Sequence, residues 1–377
     1  MMARLGDVCI LNMGQSPDSA SYNESGDGLP FFQGNADFGI IHPNVRVWCN
    51  APTKIAHAND ILISVRAPIG ALNIADRDCC IGRGLAALTV DNSICEQKYL
   101  WYAISSRVDD LNSKGTGSTF KAISKSILAD AIIPLPSLET QRQIVAALDK
   151  VSDLITLLKR QLDKLDELAK ARFVEMFGDP IANPKEWPTK PLLEMGFCKN
   201  GMNFHYDDAG VEIHCLGVGD FQDHSIIADT ATLPMVSLNE MPSEEYLLQD
   251  DDIVFVRSNG NKELVGRRVA VYPGSTPTTF SGFCIRYRKR SNSVTIPYLL
   301  RVLKADSMRV QMAGRGANIQ NLNQQILASL VIPVPPIELQ DHFATLVTQI
   351  DKSKSVIQQG LGKLETLKSA LMQKYFG

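Results

Sequence analysis

The sequence has no surplus of charge of either sign: 38 Lys and Arg stand against 41 Asp and Glu, and only 21% of residues are charged. A formal net charge of −3 excludes a polybasic tail or a globally cationic coat, so any contact with nucleic acid must be confined to patches. Long apolar runs are missing too. No stretch approaches the roughly 18 apolar residues of a membrane span. The opening MMARLGDVCILNMG lacks the apolar core of a secretory signal, so the expectation is a cytoplasmic chain with no membrane partner. Eight cysteines are present but none is spaced for metal: Cys79 and Cys80 are adjacent, the rest stand singly, and the six histidines form no H-E-x-x-H. They read as reduced thiols acting as small hydrophobes.

Catalytic signatures are equally scarce. The N-P-P-F/Y motif of amino-methylation is absent, because Asn183-Pro184 is followed by Lys185 and Pro335-Pro336 is preceded by Val334. Neither a methyl-donor glycine fingerprint nor a P-loop is found; Gly362-Lys363 is followed by Leu364 within a helical pattern. Asp18 and Glu24 lie in a Gly/Ser-rich loop with no lysine placed to complete a nuclease-type carboxylate cluster, and read as solvated loop acids. The chain is therefore expected to be no enzyme and to hold no cofactor or metal of its own.

What is there is a repeat. IPLPSLETQ begins at Ile133 and IPVPPIELQ at Ile332, an offset of 199 that holds without a gap to Phe177-Gly178 and Phe376-Gly377. Working backwards, Gly115-Thr116-Gly117 meets Gly314-Arg315-Gly316, and Tyr99-Leu100 meets Tyr298-Leu299. Further upstream the offset shifts. Asp60-Ile61 with Val65-Arg66 resembles Asp252-Ile253 with Val256-Arg257, and Asp37-Phe38 resembles Asp220-Phe221. The chain is two copies of one unit, each a variable globular part followed by a constant helical part.

The helical parts follow a heptad. Ile144, Leu148, Val151, Ile155, Leu158, Leu162, Leu165 and Ala169 alternate steps of four and three, as do Phe343, Val347, Ile350, Lys354, Ile357, Leu361 and Leu364. Lys354 interrupts the second seam where its counterpart is Ile155, and a polar seam residue fixes register at a cost in stability. Two equivalent seams have a partner in each other; the alternative is an amphipathic helix lying on its own domain. The globular parts mix α and β, with DILISVR, GLAALTV, DDIVFV, RRVAVY and FCIRYR as strands. Ser124 and Asn323 suit helix N-caps, and the proline-rich DPIANPKEWP from Asp179 ends the first long helix. The fold class expected is α+β with an internal pseudo-twofold repeat: two mixed globular domains alternate with two long helices packed as an antiparallel coiled coil.

Polar and basic side chains gather in turns. In the first copy these are Gln33, Asn35 and Arg66, with Lys114, Ser118, Thr119, Lys121 and Lys125 around GTGST. In the second, Arg257, Asn259, Asn261 and Lys262 follow DDIVFV, and Arg315, Asn318, Gln320 and Asn321 occupy the loop equivalent to GTGST. Arg and Lys neutralise phosphates, while Arg, Asn and Gln can bond base edges bidentately. Residue by residue they could equally be exposed loop polarity. As a set in two matching places they point to DNA. Arg286, Arg288, Lys289 and Arg290 form a separate cluster, read as either basic contacts or a solvated strand end.

This order of globular part, long helix, globular part, long helix resembles the specificity subunit of type I restriction-modification systems. The likeness spans the whole chain and rests also on LGDV near the start, the GTGST loop, and IPLPSLETQRQI or IPVPPIELQDHF entering each helix. GRGANIQN departs from GTGSTFKA in the second copy. The resemblance implies target recognition domains at 1–136 and 179–335, each reading half of a split double-stranded DNA target. It implies helical spacers at 137–178 and 336–377 that dock two modification (methyltransferase) subunits, with restriction subunits joining the full complex. Those partners would supply adenine methylation and ATP-dependent cleavage, with S-adenosylmethionine, ATP and Mg in their own sites. Related two-subunit restriction systems use similar chains. From other classes, a coiled-coil protein-binding scaffold and a degenerate DNA methyltransferase or nuclease remain open.

Overall fold

The computed structural model describes residues 1–117, 121–204, 208–221, 225–313 and 321–377. The chain forms two compact units, Met1–Arg160 with Gln358–Gly377, and Gln161–Ile357. Each holds one globular part and stretches of both long helices, which run Leu138–Phe177 and Ile337–Phe376. The class is α+β.

In the first unit a four-stranded antiparallel sheet has the order Cys9–Met13, Leu85–Val90, Ile61–Ser64, Leu72–Ile74. The second unit repeats that order with Gly196–Asn200, Cys284–Lys289, Asp252–Val256 and Arg268–Val271, and adds Ile226–Ile227 in parallel at the edge. Leu85–Val90 and Cys284–Lys289 are themselves 199 residues apart, so the repeat extends into strands that share no residue, LAALTV against CIRYRK. Each unit also carries a second sheet. In the first it has five short strands, with Leu29–Phe32 and Cys79–Ile81 near its centre, and in the second it has three, ordered Met235–Leu238, Val211–Leu216, Thr278–Phe280.

The heptad residues are the inward face. Ile144 and Leu148 are buried and pack, with Phe376 of the other helix, on the core formed by Leu5, Tyr99 and Leu100, and Val151 is buried as well. Leu158 lies at Gly360, whereas Phe376, further along the second helix, shares a core with Ile144 and Leu148, earlier in the first, so in this unit the helices run antiparallel. In the second unit Phe173 and Phe177 meet Phe343 and Tyr298 in an aromatic cluster with centroids 4.8–5.9 Å apart. There Lys354 Nζ donates to Asp166 Oδ1 at 2.7 Å, which gives the polar seam residue an acceptor on the opposite helix.

The repeated IPLPSLETQ and IPVPPIELQ segments close each unit in the same way. Ile132–Pro134 pairs antiparallel with Met2–Arg4, and Val331–Pro333 with Thr189–Pro191. Tyr99 Oη donates to the Pro134 carbonyl at 2.9 Å and Tyr298 Oη to that of Pro333 at 2.8 Å. Gln141 and Gln340, both fully buried, each accept a backbone N–H, from Glu96 or Thr295, at 2.8 Å. Each also donates to two carbonyls, those of Ile94 and Pro136, or of Ser293 and Pro335, at 2.9–3.0 Å. The helix ends are matched as well: Trp187 Nε1 donates to the Phe177 carbonyl at 3.2 Å, and Arg107 Nη2 to that of Phe376 at 2.8 Å. Gly178 turns the chain out of the first long helix at φ +81°, a conformation glycine takes without strain, and a Cβ there would strike Pro184.

Ser124 and Asn323 are N-caps, accepting from Ile127 and Ile326. All eight cysteines are free and all but Cys198 are buried. Burial pushes the thiols of Cys9, Cys79, Cys95, Cys198 and Cys215 up to about 12, which suits small hydrophobes rather than nucleophiles. Among the described residues no group of three or more His, Cys, Asp or Glu could hold a metal ion. No described helix is long and apolar enough to cross a membrane.

Candidate nucleic-acid interface

Asn35 opens a one-turn helix, Asn35–Asp37, and Gln33 stands just before it; the fold of this turn follows from Asp37. Its carboxylate accepts the N–H of Gln33 at 2.8 Å and of Gly34 at 3.4 Å, leaving the Gln33 and Asn35 side chains outside the turn. The Gly84 N–H then bonds the Gln33 carbonyl, and Val65 N–H bonds the Gly84 carbonyl, which draws the end of strand Ile61–Ser64 alongside. Arg66 emerges there, and its backbone bridges Ala122 in the loop after the GTGST turn.

The result is a cleft of about 250 Å³ lined by Gln33, Asn35, Ser64, Arg66 and Arg83. Sequence reasoning gave Gln33, Asn35 and Arg66 separately; the structure brings them together. It also adds Arg83, whose only signal was its place between two glycines. The side chains of Gln33, Asn35, Arg66 and Arg83 make no hydrogen bond or ion pair with any described residue, so their donors face outward. Two guanidinium groups beside two amides suit phosphate oxygens and base edges.

Other candidates are arranged differently. Lys121 and Lys125 are exposed, and Lys121 is tied to the cleft's border, its carbonyl accepting Ala67 N–H at 3.0 Å. Lys114 is not a free cation, since Nζ reaches Asp110 one turn earlier at 2.7 Å. Ser118, Thr119, Arg315, Asn318 and Gln320 lie outside the described residues. Asn321 is exposed, directly before Leu322, whose N–H bonds the Arg257 carbonyl.

In the second unit the expected pairing of Arg66 with Arg257 is off by one residue. Val65 N–H bonds Gly84 and its carbonyl accepts Ile123 N–H; Arg257 does the same with Phe283 and Leu322, each 199 residues beyond. Arg257 therefore stands in the place of Val65, and Ser258 in that of Arg66. Arg257 is accordingly half-buried, with Nε unpartnered and Nη1 3.5 Å from the Gly282 carbonyl. The side chains of Asn259 and Asn261 brace their own loop, accepting from the N–H groups of Asn261 and Glu263 at 2.8 and 3.0 Å. Lys262 follows in the same loop and is not without a partner.

Of the Arg286–Arg290 cluster only Arg290 is exposed, its guanidinium over the Phe197 ring. Arg286 is fully buried between Phe197 and Phe280, Arg288 forks onto Asp252 with both contacts at 2.7 Å, and Lys289 pairs with Asp251. These charges hold the sheet together.

The family described as "Type I restriction modification DNA specificity domain" matches residues 1–167, the segment that contains the cleft. A provisionally named type I restriction enzyme MjaX specificity subunit of Methanocaldococcus jannaschii is 42% identical over 158 residues, which is 42% of this chain and 37% of that one. Residues 1–167 are thus similar to the specificity domain of type I restriction-modification systems, and the chain spans little more than a third of the length of that relative. The type I restriction enzyme MjaVIII specificity subunit of the same organism aligns over 84% of this chain and 78% of its own length at 21% identity. The fold agrees as well. The solved type I restriction-modification S subunit of M. genitalium covers all of the chain and 96% of itself, with TM-score 0.60 at 16% identity. A chain from a structure on complex assembly of the type I R-M system gives 0.63 at 18%, covering all of this chain and 97% of that one. The two units differ at this turn: where the first has Gln33 and Asn35 ahead of Asp37, the second has Leu216 and Val218 ahead of Asp220.

Proposed function

We propose that the chain is the DNA sequence-specificity subunit of a type I restriction-modification complex, with residues 1–136 and 179–335 each reading one half of a bipartite duplex target. The observation that carries this reading is the cleft of Gln33, Asn35, Arg66 and Arg83, whose donors are unspent, inside the family-matched segment. Supporting it, the recognition loops differ between two units built on one strand order, as expected of two readers for two sequences. The helical segments 137–178 and 336–377 act as spacer and dock two modification subunits, which restriction subunits join. This chain is not catalytic: S-adenosylmethionine, ATP and Mg belong to its partners, which methylate adenine and cut DNA, and the complex works in the cytoplasm.

The test is modular exchange. With residues 1–136 replaced by the equivalent part of a relative, the methylation motif mapped in cells that also carry the modification subunit should change in one half-site only. A motif altered in both halves, or in neither, would remove the two-reader assignment.

Within the first reader, Arg83→Ala and Lys121→Ala are each expected to weaken binding of the complex to any duplex. Each should also flatten the slope of log K against log salt by about 0.9, the contribution of one phosphate contact. Binding titrations across salt, with target and non-target duplexes, check this. A changed motif with an unchanged slope would make the residue a base reader instead.

A further inference from the structure

The second unit holds a cleft of about 440 Å³ enclosed by the last turns of the first long helix, the Gly178–Pro180 turn, the start of strand Arg268–Val271, and the helices Ile296–Lys304 and Asp306–Ala313. Its lining is strongly cationic. Arg268, Arg301, Lys304 and Arg309 all border it, and among the described residues none of the four makes a salt bridge to a carboxylate. Of the two acids in the lining, Asp306 pairs with Lys170, a fifth cation of the same lining, at 2.9 Å and also acts on Arg301, while Asp179 accepts the N–H groups of Ile181 and Ala182 at 2.9 Å.

Arg268 is the most telling of the four. It is 8% exposed, spends Nη1 on the Gly266 carbonyl at 2.9 Å, and leaves Nε buried with no partner. Lys304 donates to Ser225 Oγ. Burial first, then the neighbouring Arg268, Arg301 and Lys354, brings Lys304 down to about 8; burial and Arg309 bring Arg268 down to about 9. Asp166, at Arg301 and Lys304, and Asp306, at Arg301, offset part of this charge, but burial outweighs them, and cations held this way cost a fold stability.

The fold does not need them. At the offset of 199, the first unit has Tyr102, Ser105 and Asp110 in place of Arg301, Lys304 and Arg309. By strand register it has Leu72 in place of Arg268, since Leu72 pairs with Ile63 as Arg268 pairs with Phe255. The same architecture is thus completed once without any of the four charges.

We propose that this cleft binds a small anion bearing two or more phosphate groups. Guanidinium forks match phosphate oxygens, and a single phosphate is too small to meet four cations arrayed around one enclosure. The cleft has the size of a small-molecule site and is concave, unlike the open row of cations that tracks a duplex backbone.

Titration calorimetry on the full chain with inorganic triphosphate, ATP, orthophosphate and a short duplex tests this. Triphosphate should bind one to one and orthophosphate at least tenfold more weakly. Arg301→Gln with Arg309→Gln should weaken triphosphate by about a hundredfold, tenfold per charge-assisted contact, with an unchanged melting temperature. Arg268→Leu, which installs the first unit's residue, should weaken it by about tenfold while the chain stays at least as stable. ATP binding more tightly than triphosphate would identify a nucleotide as the source of the phosphates, and equal affinities an inorganic polyphosphate. The proposal is overturned if neither binds at millimolar concentration, if the variants bind as the parent does, or if the variants lose affinity only for the duplex.

Discussion

Replacing Gln340 with Leu is expected to lower the stability of the second unit by about 3 to 5 kcal/mol, because three buried polar groups lose their partners at once. The Thr295 N–H and the carbonyls of Ser293 and Pro335 are all satisfied by this one side chain, which has no exposure to water. Leucine fills a similar volume but offers neither donor nor acceptor, so each group bears its full desolvation cost. Against a typical total of about 5 to 15 kcal/mol the loss is severe. It corresponds to a fall of roughly 10 °C in the melting transition of a unit this size. Gln141→Leu should do the same to the first unit through the Glu96 N–H and the carbonyls of Ile94 and Pro136. Denaturant unfolding of the two variants gives the measurement. A loss under about 1 kcal/mol would mean that water replaces the amide and that the glutamine is not the lock between the entering helix and the preceding strand.

Gln141 and Gln340 also mark where the sequence stops being legible. Their motifs are visible as a repeat, and their position in the first helical turn follows from the prolines before them. Their task is not, because the N–H groups of Glu96 and Thr295 that they accept from lie about 45 residues upstream, and only the fold brings them near. The heptad seam and the two N-caps were readable because both depend on spacing within one element. GLAALTV and FCIRYR were readable as strands too, but not as counterparts of each other. Leu85–Val90 and Cys284–Lys289 occupy one place in the sheet without an identical residue, since pairing is set by backbone hydrogen bonds that carry no side-chain signature. For the same reason the match of Arg66 to Arg257 by eye slipped one residue, which in a strand moves a side chain to the opposite face. The run of basic residues from Arg286 failed differently. Charge density suggests solvent, but Arg288 meets Asp252 across the sheet and Arg286 lies over two phenylalanines, so the charges are interior. The cleft of the first unit was half legible: its amides and Arg66 stand in polar turns, whereas Arg83 joins them only when Gly84 docks on Gln33.

Lengthening both long helices by four residues should abolish methylation of the parental target and shift it to one with a longer spacer between unchanged half-sites. The insertions belong after Lys159 in the first helix and after Gly360 in the second, because Leu158 lies at Gly360 and Lys159 reaches Glu365, so the added turns face each other. Four residues add about 6 Å at 1.5 Å per residue, against about 3.4 Å per base pair of duplex, so the spacer should grow by one or two base pairs. They also add slightly more than one helical turn, so the seam drifts by about 40° rather than reversing, and the heptad contacts on either side survive. Two base pairs turn one half-site by about 70° around the duplex axis, so the match is incomplete and the new target should be held more weakly than the old. Circular dichroism and melting of the variant establish that the helices still pair. The methylation motif in cells carrying the modification subunit is the decisive measurement. An active variant that keeps the parental spacer would show that these helices do not set the distance between half-sites, and would leave them the docking of partner subunits alone.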